Sequence, residues 1–94
     1  MSTNPKLLKR QKEVKGKIHQ HLDLLMGSVV KSPTQSGYYL TDKIEGTTVT
    51  RYLRKSIRKE AQSMTKNHRK VRQLLRQLSA INFEILKAKA ESKN

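Results

Sequence analysis

The sequence has no cysteine and no tryptophan, and only one phenylalanine and three tyrosines. Without cysteine there are no disulfides, thiol nucleophiles or cysteine zinc sites. An intracellular, reducing setting fits this usage, and the expected location is the cytoplasm. Acids are also scarce, with 7 Asp+Glu against 21 Lys+Arg. Glu13, Asp23, Asp42, Glu45, Glu60, Glu84 and Glu91 form no close pair along the chain, so a carboxylate dyad for acid–base work is not expected. His19 and His21 are two residues apart and point in different directions on a helix. No metal-ligand spacing, phosphate-binding glycine loop or nucleophile motif occurs. These absences predict a non-catalytic protein with no cofactor and no bound metal. No apolar run reaches membrane-spanning length. Met1 to Lys17 lacks the apolar stretch of a signal peptide, and the basic helix lacks the tryptophan of a membrane-surface anchor. Glycine and proline are missing from Thr47 onward, which leaves the second half free of helix breakers.

What is present is positive charge, +14 formal on 94 residues. That exceeds what solubility asks of a small domain and is the footprint of a polyanion-binding protein. Apolar residues make up only 34%, so any core is thin and laid out along stripes. One domain over residues 1–94 is expected.

Along the chain, Asn4-Pro5 opens a first helix, predicted over 4–26 with Gly27 as its C-terminal stop. Its apolar face, Leu8, Ile18, Leu22 and Leu25, is interrupted by Gln11 and Lys15 and weakened by Gly16. Residues 28–53 read as a β-hairpin region: Tyr38 to Ile44 alternates, Glu45-Gly46 is a turn, and Thr47 to Leu53 resumes the pattern. Val29 and Val30 in Ser28 to Lys31 offer a third strand. A long helix is predicted over 54–90, roughly 55 Å at 1.5 Å per residue. Ile57, Ala61, Met64, His68, Val71, Leu75, Leu78, Asn82 and Ile85 follow a 4,3 spacing along it, a coiled-coil-like seam widened by Leu74, Ile81 and Leu86. His68 and Asn82 read as polar residues setting register on that seam. The fold class is therefore α+β, mainly α: helix, short hairpin of two or three strands, long helix.

Two surfaces follow. Arg51, Arg54, Lys55, Arg58 and Lys59 fall at i, i+3, i+4, i+7 and i+8, one stripe if all lie on a helix. Lys66, Arg69, Lys70, Arg72 and Arg76 extend the run, and Glu60 is the only acid within it. Like charges at helical spacing repel, and cations at a helix N-terminus oppose its dipole, so folding does not account for the pattern. A bound phosphate backbone does. Arg51, Arg54, Lys55, Arg58, Lys59, Lys66, Arg69 and Lys70 are the expected phosphate contacts to DNA or RNA. Tyr39 is a candidate for stacking on unpaired bases, whereas Tyr38 and Tyr52 are expected to pack the hairpin against the helices. The second surface is the seam residues Met64, Val71, Leu75, Leu78, Asn82 and Ile85, expected to serve a homo-oligomer or a protein partner unless an intramolecular helix pair uses them. A further basic cluster, Lys6, Lys9, Arg10, Lys12, Lys15 and Lys17, marks the first helix.

Gly37-Tyr38-Tyr39-Leu40-Thr41, then Gly46, Val49 to Lys55, Asn67-His68-Arg69-Lys70 and Leu74 to Asn82, resemble a family of small prokaryotic proteins of unknown function, often encoded near transposases. The resemblance covers about Met26 to Leu86. It implies a helix–hairpin–helix layout and a role as an accessory protein of a mobile genetic element, with a transposase as the kind of partner. Many relatives carry a Cys-rich knuckle before the Tyr-Tyr strand. Here that stretch is Lys31 to Gly37 without cysteine, so a metal role is not implied for this chain.

Overall fold

The computed structural model describes residues 4–34 and 36–92. Asn4 caps the first helix, α1 (Pro5–Gln20): its Oδ1 accepts from the Lys6 N–H at 2.9 Å, and Pro5 takes the first turn. α1 ends six residues before the expected 26. His21 closes it, donating its N–H to the Ile18 carbonyl while its Nδ1 lies 2.7 Å from the Lys17 carbonyl. Gly27 is therefore not a helix stop. It sits at φ +113, so tight against β2 that a Cβ would lie 2.4 Å from the Thr41 carbonyl oxygen, and only glycine fits there.

Three strands follow: β1 (Ser28–Lys31), β2 (Tyr38–Ile44) and β3 (Thr47–Leu53), antiparallel in the order β1-β2-β3. The β2–β3 loop is two residues, Glu45 at φ 50 and Gly46 at φ 81, the double positive φ of a tight hairpin turn. That loop sets the register: Ile44 opposite Thr47, Tyr39 opposite Tyr52, Tyr38 opposite Leu53. The third strand offered by Val29 and Val30 forms, pairing Val29 with Leu40 and Val30 with Tyr39.

The long helix is α2 (Arg58–Ser92), preceded by a 3-10 turn at Lys55–Ile57. The expected start at 54 thus splits: Arg54 caps the turn in extended backbone, and α-helical geometry begins at Arg58. The architecture is α+β, mainly α.

By contacts the chain divides into two units, Met1–Leu22 with Lys70–Asn94, and Asp23–Arg69. In the helical unit, Val14 of α1 packs with Leu74, Ile81 and Ile85 of α2, joined by Leu7, Ile18 and Leu78. In the sheet unit, Leu40 and Leu53 pack on Ala61, with Leu25, Val29 and Tyr38 around them. Residues 23–26 are tied to the start of α2 in two places: the Leu25 N–H donates to the Met64 carbonyl, and Asn67 Nδ2 donates to the Asp23 carbonyl.

Candidate nucleic-acid interface

Strand alternation gives the sheet two unlike faces. Tyr38, Leu40, Asp42 and Ile44 share a face with Leu53, Arg51, Val49 and Thr47, because paired residues project to the same side. This inner face packs on Ala61. The outer face carries Tyr39, Thr41 and Lys43 beside Tyr52, Thr50 and Thr48. The expectation for the tyrosines is met for one and corrected for the other. Tyr38 packs inward. Tyr52 is on the outer face, 59% exposed, in edge-to-face contact with Tyr39 at 5.6 Å between ring centroids.

The basic run does not form one helical stripe between Arg51 and Lys59, since only its last two members lie on α2. Arg51 belongs to the inner sheet face, where it lines a shallow cleft with Met26, Asp42, Ile44 and Val49. Arg54 and Lys55 are exposed at the sheet–helix corner. Arg58 turns back on the fold, its guanidinium carbon 4.2 Å from the centre of the Tyr38 ring. Its Nε is buried with no hydrogen-bond partner among the described residues. Cation–π contact is thus the principal use of Arg58 seen in the structure, and it holds the sheet to the helix start.

On α2 itself, Lys59, Lys66 and Arg69 are exposed, with Lys59 and Lys66 on the side away from Ala61 and Thr65, both buried, and Arg69 one turn beyond Thr65. Lys59 and Lys66 are seven apart and Lys66 and Arg69 three apart, so they line one side of the helix. Lys70 is exposed next in sequence and is the first α2 residue of the helical unit. Arg54, Lys55, Lys59, Lys66 and Arg69 are therefore the exposed cations that the sheet unit supplies from its corner and helix. Their only acidic neighbour in the run is Glu60, in the first turn of α2, where a carboxylate is favoured by the helix dipole.

The expected seam is largely consumed within the chain. Val71 and Ile85 are buried, and Leu78 packs against the cluster around Val14. Met64 is half-buried. Leu75 is 50% exposed, and Leu74 is buried in its stead. Asn82 is exposed and accepts a 2.8 Å hydrogen bond from Gln11 Nε2, while its neighbour Ile81 is buried. The buried row thus takes the apolar flank, Leu74 and Ile81, because burying the Asn82 amide in a seam costs more than leaving it at the edge.

Among the described residues no group of three or more His, Asp or Glu side chains is placed to hold a metal ion, and no helix is long and apolar enough to cross a membrane. No protein-family model, curated protein or solved structure matches the chain.

Proposed function

We propose that the protein is a non-catalytic nucleic-acid-binding accessory protein that grips phosphates with Arg54, Lys55, Lys59, Lys66, Arg69 and Lys70. The observation that carries this reading is the outward side of α2 and its approach. Exposed cations gather there with Glu60 as the only acid in the run, although repulsion and the helix dipole both oppose the arrangement. A polyanion removes both penalties. Arg58 contributes charge while holding Tyr38, so its main part is structural. The setting, a mobile genetic element, rests on the resemblance carried by Gly37 to Thr41 and Asn67 to Lys70.

Phosphate contacts position a protein without reading sequence. With about six phosphates neutralised, log affinity falls against log salt with a slope near −5 on duplex and near −4 on a single strand. Titrating binding from low to moderate salt tests the reading. A steep slope supports it, and no binding at low salt overturns it.

A second reading, a helical interaction module for a copy of itself or a transposase-type partner, is favoured by one observation. Leu75, Phe83 and Leu86 are 50%, 62% and 64% exposed on α2. Their spacing of eight and three residues puts them on one side of the helix, distinct from the row packed on α1. Sedimentation at high salt tests it. Association that Phe83→Ser with Leu86→Ser abolishes favours this reading, and a strict monomer speaks against self-association.

A further inference from the structure

Apart from Arg54 at its end, the outer face of the sheet has no part in the phosphate grip, yet its composition is unusual for a surface. The register puts Val30, Tyr39 and Tyr52 in one row across all three strands, on the side opposite the buried Leu40 and Leu53. Val30 is 42% and Tyr52 59% exposed, while Tyr39 between them is half-buried, so the row is open at both ends. It is also fixed. Tyr39 meets Tyr52 at 67° between ring planes. Tyr52 also lies against Gly37, where a Cβ would come within 3.2 Å of the ring carbon Cε1. Gly37 is itself buried, and its carbonyl accepts the Ser32 N–H at 3.0 Å. A ring with two such neighbours that is more than half exposed is preorganised rather than packed.

The rest of the face has no acid. Ser28, Thr41, Thr48 and Thr50 fill it, with Lys43 at one end. Asp42 projects to the inner face and Glu45 lies in the turn. Arg54 follows Leu53 in extended backbone, so alternation returns it to the outer side beyond Tyr52. From the Lys43 row to Arg54 is about 20 Å at 3.3 Å per residue. The face is therefore an aromatic row between two cations.

We infer that this outer face, centred on Tyr39 and Tyr52, is a stacking platform for the unpaired bases of a single-stranded nucleic acid. It deepens the proposed phosphate grip and rests on it: the cations hold the backbone while the rings take the bases. Bases paired in a duplex keep their faces covered by their neighbours, so only an unpaired base can lie on a tyrosine ring. A cross-strand aromatic pair also steadies a sheet, by a few tenths of a kcal/mol to about 1 kcal/mol. That role predicts no difference between base-bearing and base-free strands, and so the two are separable.

The test measures the affinity of the intact protein for four probes of equal length: an oligodeoxythymidine, an oligouridine, an abasic strand with the same phosphates, and a duplex. Wild type is expected to bind a base-bearing strand more tightly than the abasic strand, by about 5- to 150-fold per stacked base. Tyr52→Ala is expected to erase most of that preference and Tyr52→Phe to keep it, with abasic binding unchanged in both. Circular dichroism of Tyr52→Ala checks the sheet, and the Phe variant carries the comparison if the sheet is disturbed. Equal wild-type affinity for base-bearing and abasic strands, or tighter binding to duplex, overturns the platform while leaving the phosphate grip standing. No binding to any probe overturns both.

Discussion

At the residue scale, two adjacent cations, Arg58 and Lys59, do different work. Arg58 covers the Tyr38 ring, a contact worth roughly 0.5–2 kcal/mol. Arg58→Ala is expected to lower thermal stability by about that amount, read as a fall in melting temperature, with little change in the salt dependence of binding. Lys59 is exposed on the outward side of α2. Lys59→Ala is expected to leave the melting temperature nearly unchanged and to reduce the salt slope by about 1. If both variants change the slope equally, Arg58 holds phosphate as Lys59 does. Charge alone made the two look equivalent in the sequence. Only the register, which brings Tyr38 opposite Leu53 and onto the face that meets the helix start, separates them.

At the scale of the element, much was legible and the misses have physical causes. The Asn4-Pro5 helix start, the alternation of Tyr38 to Ile44, the Glu45-Gly46 turn and the third strand all follow from local chemistry. Tyr52 was expected inward with Tyr38, although the turn already placed it otherwise. A two-residue loop between Ile44 and Thr47 makes the paired residue numbers sum to a constant, which sets Tyr52 opposite Tyr39 rather than on the face of Tyr38. The end of α1 was not legible: Leu22 and Leu25 continue a helical pattern, but residues 23–26 instead bond to α2, a contact distant in sequence. The seam was blurred because Leu74 and Leu75 flank the same row, and only the polar amide of Asn82 against Ile81 breaks the tie. Two glycines test this account of the elements. Nothing lies within 4 Å of a Cβ built at Gly16, in the C-terminal half of α1. Gly16→Ala is expected to raise stability by about 0.5–1 kcal/mol, visible as a higher melting temperature. Gly27→Ala combines positive φ with a clash on the Thr41 carbonyl, and is expected to destabilise by about 1–3 kcal/mol. A neutral Gly27→Ala would mean that residues 23–28 are not held against β2 as described.

At the scale of the whole molecule, the charge of +14 is spread over elements with distinct chemistry. The sheet unit carries exposed cations on its helix and corner, and a fixed aromatic row on its outer face. The helical unit carries its own basic residues on α1 and the exposed Leu75, Phe83 and Leu86 on α2. None of these features is needed by the two small cores, which draw on Val14, Leu74, Ile81 and Ile85 in one unit and Leu40, Leu53 and Ala61 in the other. That so apolar-poor a chain leaves large apolar residues exposed fits the proposed partner-binding role. The central claim is that the first of these partners is a nucleic-acid backbone. Its most direct test is the affinity of the intact protein for a nucleic-acid strand as a function of salt. Tight binding at low salt is expected, weakening with a log–log slope between about −4 and −5. Binding that is absent at low salt, or indifferent to salt, contradicts it.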